Sequence, residues 1–367
     1  MYRKNRLVLI LMIVLLIGMG MGIGYKGRDV QIEQEVQVEN RLSAEQFMVN
    51  HLIKRDGRIR TNLSTRKNEY LSETVGLWMD YLLIKDDPKK FKQQVRVLEK
   101  NFLTKEYLVV WELKKAKAAN SNASIDDLRI MNALFEAGEK WNEPRYTTLA
   151  QRMANALKTY QLNNQYVVDY IDLKSKAQGS VITLSYIIPQ AFDRLKQRNS
   201  ISEGIYNNTF QLLTEMPHSS KGFFPKSFDV ERKHFSYDKK VNLIDQYYIG
   251  YHRAQWNGDV TELLTFTKRE MAKPNGRLYG VYDSKLGKPL VDYEAPSIYA
   301  LAILMCLELE EVELARQLFV HMKALQQNDD TKRYYGGYID LPTFDTHAFD
   351  NLLAMIAERI GAHENVF

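Results

Sequence analysis

Acidic side chains carry the chemistry this sequence is equipped for. Glu73 follows Ser72, Asp126 and Asp127 follow Ser124, Asp245 follows Asn242, and Asp238 lies a few residues upstream. Two carboxyl groups facing each other across a cleft, one protonated and one ionised, can give and take a proton in a single reaction. Each acid also fits a plainer part, because a carboxylate in a helix's first turn complements the positive end of the helix dipole. At Glu73 the apolar neighbours Val75, Leu77 and Trp78 raise the carboxyl by desolvation, while the helix N-terminus pulls it down. Other chemistries are missing. The seven histidines show no His-Glu-x-x-His spacing, and there is neither a Gly-rich phosphate loop nor a Gly-x-Ser-x-Gly elbow. Among them His347, near Asp345 and Asp350, is the one to watch. The single cysteine, Cys306, sits in an apolar run, which excludes a disulfide framework and a cysteine zinc site. No cofactor and no metal is expected.

Such acids need elements to hold them. Helical periodicity recurs near residues 43–55, 72–85, 88–102, 124–141, 143–160, 184–198, 200–216, 241–257, 258–272, 294–308, 310–326 and 343–360. Ser72, Ser124 and Asp345 are the expected caps, and Pro88, Pro144 and Pro189 fall near first turns, where a missing N–H costs little. Strand-like pieces are confined to Tyr107–Leu113, Tyr166–Leu173 and Leu278–Tyr282. Alternate helices start near 72, 124, 185, 242, 294 and 345, a repeat of roughly 50–60 residues that marks one supersecondary unit used repeatedly. Six helical hairpins in a ring close into an all-α (α/α)6 barrel whose inner helix N-termini gather at one mouth. Glu73, Asp126, Asp127, Tyr186, Asn242, Asp245, Glu294, Asp345 and His347 all fall at those ends.

The motifs that carry these residues resemble those of glycoside hydrolase family 8. Ser72-Glu73-Thr74-Val75-Gly76-Leu77-Trp78-Met79 resembles the family's Ser-Glu-Gly-x-x-x-x-Met segment. The run from Ala123 to Trp141 is similar to its Ala-Ser/Thr-Asp-Ala/Gly-Asp signature and the apolar helix that follows. Leu184-Ser185-Tyr186-Ile187-Ile188-Pro189 looks like the family's Pro-Ser-Tyr-x-x-Pro stretch, and Phe223-Phe224-Pro225-Lys226 stands where the family has a Gly-x-x-Pro-Asp turn. Ile125 replaces the signature's first Asp, Asp126 takes the small-residue position and Asp127 keeps the second Asp. The Tyr-Asp-Ala segment that bears the family's base has no clean copy. The chain therefore resembles a divergent branch, with relatives among hydrolases of bacterial exopolysaccharide and cellulose loci.

The resemblance implies an inverting endo-acting glycoside hydrolase for a β-linked polysaccharide, with the cell's own exopolysaccharide as its substrate and the machinery that makes that polymer as a possible partner. Glu73 is then the general acid. The base falls on Asp245, with Asp238 as the other candidate, and Tyr186 positions the water. Inversion requires the acid and base about 6.5–9.5 Å apart to admit that water. Asp127, favoured over Asp126 by register, binds sugar hydroxyls. Because sugar C–H faces stack on aromatic rings, Trp78, Trp141, Tyr248, Tyr247 and Tyr251 are candidates to line the groove. The missing signature Asp keeps open a non-catalytic polysaccharide-binding or export-scaffold protein on the same barrel. A polysaccharide lyase on a related toroid is the third class.

The N-terminus speaks to location. Leu7 to Tyr25 is an uncharged run whose nineteen residues span about 28 Å as a helix, matching a hydrocarbon core of about 30 Å. Arg3, Lys4 and Arg6 precede it, which places residue 1 inside and the bulk of the chain outside the cell membrane. Residues 1–25 are read as basic tip and anchor, with a cleaved signal peptide as the alternative, 26–40 as a stalk, and 41–367 as the catalytic domain. Overall the charge is +5, with 50 Lys and Arg against 45 Asp and Glu, and the three leading cations account for part of it. That balance is too even for a nucleic-acid binder.

Overall fold

The structure is a computed structural model that describes residues 42–115, 117–219 and 221–367. The apolar run Leu7–Tyr25 and the stalk at 26–40 lie outside the described residues. Among the described residues, no helix is long and apolar enough to cross a membrane.

Twelve α-helices are found among the described residues. They are α1 (Ser43–Phe47, continued by a π turn, Met48–Leu52), α2 (Ser72–Lys85), α3 (Pro88–Val97, continued by a π turn, Leu98–Phe102), α4 (Ser124–Lys140), α5 (Pro144–Tyr160), α6 (Pro189–Gln197), α7 (Glu203–Glu215), α8 (Leu243–Gln255), α9 (Thr261–Met271), α10 (Pro296–Glu308), α11 (Val312–Ala324) and α12 (Ala348–His363). The even-numbered helices form the inner wall. Helix α2 packs on α4, α4 on α6, α6 on α8, α8 on α10, α10 on α12, and α12 returns to α2. The odd-numbered helices lie outside, α3 on α2, α5 on α4, α7 on α6, α11 on α10 and α1 on α12. Helix α9 reaches α8 through a 2.8 Å hydrogen bond between the hydroxyls of Tyr247 and Thr267. This is the expected (α/α)6 barrel.

Side-chain patterning explains the two layers. Every residue of α10 from Ser297 to Leu307 is buried, as befits a helix with neighbours all round. In α11 only Leu314, Ala315, Leu318 and Met322 are buried, a single stripe facing inward. Proline opens α3, α5, α6 and α10.

Short antiparallel strands cap the mouth. One sheet has the order β1 (Glu69–Leu71), β2 (Glu112–Lys114), β3 (Lys117–Ala118), with Leu71 opposite Glu112. A small hairpin joins β4 (Leu162–Asn163) to β5 (Tyr166–Val167). A second sheet has the order β6 (Val181–Thr183), β7 (Ser227–Asp229), β8 (His234–Ser236), and β9 (Lys240–Asn242) pairs with β10 (Val281–Asp283). Strands β1, β6 and β9 each run directly into a helical turn of the inner wall: α2, a 3-10 turn at Leu184–Tyr186, and α8. Pairing thus fixes the start of the turns that carry Glu73, Tyr186 and Asp245.

Two helix starts fall five residues later than expected. The helix expected from 184 is interrupted, because Pro189 holds Ile188 extended, at φ −107° and ψ 103°, and α6 begins only at the proline. The last helix starts at Ala348 rather than near 343. Its cap is His347, whose ring nitrogen accepts from the Phe349 N–H at 3.1 Å, not Asp345.

The loop before α12 closes against the start of the domain at Gly336. Its φ is +83°, and a Cβ there would lie 2.0 Å from the Ser43 carbonyl oxygen. Gly336→Ala is therefore expected to lower the melting temperature, by more than the ~1 kcal/mol that a strain-free Gly-to-Ala change would add in stability. A thermal melt followed by circular dichroism checks it, and an unchanged transition would contradict the clash.

Candidate active site

Six inner N-termini converge on one mouth, and three of its acids, Glu73, Asp126 and Asp350, interact. Glu73 lies one residue into α2. Ser72 ahead of it does not cap the helix. Its backbone N–H donates to the Trp111 carbonyl at 3.0 Å, and its hydroxyl donates to Asp126 Oδ2 at 2.5 Å. The link ties the starts of α2 and α4 together, and Asp126 also accepts from the Glu73 backbone N–H. Burial, then the charge of Asp126, push Glu73 up to about 8, with Arg129 opposing and Asp350 adding to the rise. Burial also raises Asp126, to about 6, against the pull of Arg129 and the Ser72 hydroxyl. Two adjoining carboxyls cannot both ionise cheaply, so one proton stays on the pair and Glu73 holds it near neutral pH.

Asp245 stands one turn into α8, whose start Asn242 caps by accepting from the Ile244 N–H at 2.9 Å. Its Oδ1 accepts from the Ser185 hydroxyl at 3.1 Å. Burial raises this carboxyl, and Lys226 and Ser185 hold the rise back. Lys226 reaches the site because Gln246 grips the backbone of Phe224 from both sides, accepting from its N–H at 2.8 Å and donating to its carbonyl at 3.1 Å. Asp238 pairs with Lys226 at 3.1 Å and is more exposed than Asp245. Tyr186 is the common neighbour. After burial, the charges acting on its hydroxyl are Asp169, Asp126, Asp245 and Glu73, which puts it within electrostatic reach of both Glu73 and Asp245. Asp169 in turn is held by the Thr183 N–H at 2.6 Å and the Thr183 hydroxyl at 2.7 Å.

The remaining expected residues fall elsewhere. Asp127, favoured by register, is turned away from Glu73. Its Oδ1 accepts from the buried Val109 N–H at 3.1 Å and its Oδ2 from Asn122 at 2.7 Å, so it supports a loop and Asp126 takes the place beside Glu73. Neighbouring helix positions diverge by about 100°, which leaves room for only one of them at the mouth. Trp78 is 3% exposed and stacks on Tyr81 at 5.3 Å, a core contact. Trp141 sits at the other end of α4, where its Nε1 donates to Asp86 at 2.7 Å. Tyr247 is fully buried against α9. Tyr248 lies under the mouth, its hydroxyl accepting from Arg129 at 3.3 Å, and Tyr251 lies deeper in the barrel.

Three residues of the site went unread in the sequence: Arg129, Asp350 and Asp169. Arg129 had a signal, a lone cation in the apolar run Leu128–Leu134, three residues after Asp126. Asp350 repeats the first-turn acid seen on α2, α4 and α8. It sits in the first turn of α12 and accepts from the Ser297 N–H at 3.4 Å. Asp169 lies in a loop with no pattern to mark it.

Replacing Asp127 by leucine is expected to strand the Val109 N–H, at a cost of about 1–3 kcal/mol. Activity per folded molecule should persist. Urea unfolding paired with a turnover assay would separate the two, and a stable but inactive variant would return Asp127 to the mouth.

Comparisons agree with this architecture. The sequence profile described as Glycosyl hydrolases family 8 matches residues 33–255. The lipoprotein candidate YdaJ of Bacillus subtilis (strain 168) is 38% identical over 324 residues, 88% of each chain. A solved structure described as a novel alpha-amylase from Clostridium perfringens superposes with a TM-score of 0.80 at 26% identity, covering 88% of this chain and 97% of that one. The structure of PssZ from Listeria monocytogenes gives a TM-score of 0.73 at 26% identity, over 86% of this chain and 94% of that one. With the profile spanning more than half the sequence and the barrel closed as described, this chain belongs to glycosyl hydrolases family 8 and is a glycoside hydrolase.

Proposed function

We propose that the chain is an inverting endo-acting hydrolase that cuts a polysaccharide lying across the mouth, with Glu73 as general acid and Asp245 as general base. The observation that carries the reading is the unequal pair at the mouth: burial and Asp126 keep a proton on Glu73, while Asp245, beside Lys226, is the acid better suited to ionise. Tyr186, within electrostatic reach of both, orients the attacking water. Asp126 holds sugar hydroxyls and the Ser72 link, and Asp238 tunes Asp245 through Lys226. The polymer is the cell's own exopolysaccharide. The chain is held outside the membrane by Leu7–Tyr25, in keeping with a relative named as a lipoprotein candidate.

A β-linked backbone is the first reading. An α-linked one has its own support, since the Clostridium perfringens protein is described as an alpha-amylase. Incubation with purified exopolysaccharide, a β-1,4-glucan and an α-1,4-glucan, followed by reducing-end assay, decides between them. Proton NMR of the first products reads the anomer, and retention of configuration would sink the inverting mechanism. Asp245→Asn should cut kcat by about 10²–10⁴-fold, the span of a lost general base. Asp238→Asn should leave most of it. The reverse order would move the base to Asp238.

A further inference from the structure

Behind the mouth, the barrel axis holds a second cavity of about 260 Å³. Arg129 and Tyr248 form the partition, Arg129 approaching Asp126 on one side and both residues lining the cavity on the other. Glu136, Gln190 and Arg194 lie at the far end, where the inner helices open to solvent. This space is not the catalytic mouth, because Glu73, Tyr186 and Asp245 are not among its lining residues.

Its walls carry polar atoms that the protein leaves without partners. Asn132 Oδ1 and His252 Nδ1 are buried with no hydrogen bond, and both residues line the cavity, while Arg129 Nη1, also unpaired, faces Asp126 on the mouth side. Arg129 is 5% exposed and His252 4%. The Arg129 guanidinium approaches Asp80 at 3.8 Å and Asp126 at 3.7 Å, distances that leave gaps where short ion pairs would close them. Buried polar groups left without partners are rare in native proteins, so two around one space indicate an occupant.

The chemistry of the walls defines that occupant. Asn132 Oδ1 needs a donor. His252 is neutral, its other ring nitrogen bonded to the Ile187 backbone, so Nδ1 also needs a donor. A hydroxyl is an uncharged group that donates to either acceptor. The Arg129 cation is already flanked by two acids, so a charged ligand is not called for. The opposite walls, Leu301, Leu304 and Leu353, are apolar and suit C–H faces.

We propose that this axial cavity is a binding site for a small uncharged polyhydroxylated molecule, a free monosaccharide or polyol, held by Asn132 and His252. The site is separate from the hydrolytic reading and survives its failure.

Titration calorimetry on the full-length protein in detergent, with D-glucose, D-galactose, myo-inositol and glycerol as probes, tests it. One of them should bind saturably at one site. Asn132→Leu, which removes an acceptor, and Leu304→Phe, which fills the space, should each weaken binding by at least about tenfold, equal to about 1.4 kcal/mol. Glu73→Gln, at the mouth, should bind as wild type does. Glycerol binding without hexose binding keeps the site and names the smaller ligand class. No saturation with any probe, or binding that survives both cavity variants, overturns the proposal. Should Leu304→Phe fail to fold, Asn132→Leu decides alone. A chain inactive on every polymer that still passes this test would lose the hydrolase mechanism and keep the site.

Discussion

Glu73→Gln is expected to abolish almost all turnover, lowering kcat by about 10²–10⁴-fold with little change in KM. The amide fills the same place but has no proton to give to the leaving oxygen. Reducing ends released from the best polymer measure the loss. Wild-type kcat/KM should fall on the alkaline side as the Glu73–Asp126 pair gives up its shared proton, with an apparent value near 8. The variant should also be the more stable protein at high pH. In the folded chain Glu73 is raised from 4.5 to about 8, so between those values the unfolded chain releases a proton that the folded chain keeps. Wild-type stability is therefore lost as pH rises through that window, and Gln carries no such penalty. Thermal melts at pH 5 and pH 8 should show the gap between variant and wild type widening at the higher pH. A variant that keeps more than a tenth of wild-type kcat would remove Glu73 from the acid role.

Glu45→Gln is expected to be the most damaging single change to the fold. Glu45 is fully buried on α1, where it accepts from Lys85 at 2.6 Å, Lys90 at 2.9 Å and the Tyr81 hydroxyl at 2.7 Å. Arg359 on α12 donates to the same tyrosine at 3.0 Å. One carboxylate thus joins α1, α2, α3 and α12. Burial by itself would raise its pKa, but the three donors outweigh burial and hold it below 4.5. Removing the charge weakens charge-assisted hydrogen bonds to Lys85 and Lys90, which are 13% and 28% exposed, at about 1.5–3 kcal/mol. The sign with pH is opposite to that at Glu73. A depressed carboxylate stabilises above its unfolded value and loses that contribution as pH falls through its folded value. Wild type should therefore lead Glu45→Gln clearly at pH 7, and the lead should shrink toward pH 3. Urea midpoints across that range measure it, and a lead that grows in acid would refute the pairing.

Much of this was legible in the residues. The unbroken apolar run of α10 could only be an interior helix, and the prolines at helix starts marked the hairpins. Because one hairpin repeats, the starts of the inner helices were known, and Glu73, Tyr186 and Asp245 came with them. What could not be read depended on partners from distant hairpins. Whether Asp126 or Asp127 faces the mouth is decided by Ser72 on α2 and by Val109 and Asn122 before α4. Helix phase alone does not choose between two adjacent acids. Trp78 looked like a sugar platform because an aromatic ring suits a core and a groove equally well. Its stacking on Tyr81 settled the matter. Strands β1, β6 and β9 are three residues each, too short for a period-two pattern to declare itself.

The seam where α2 meets α12 has a consequence for how the molecule is made. Tyr81 waits 278 residues for Arg359. At about 5–20 residues per second, a ribosome takes roughly 14–56 s to cover that distance. For that interval the nascent ring is a crescent, with greasy inner faces open at both edges. Contacts of such long range also slow folding once the chain is complete. Production in cells should therefore depend on chaperone supply more steeply than the finished protein's resistance to heat would suggest.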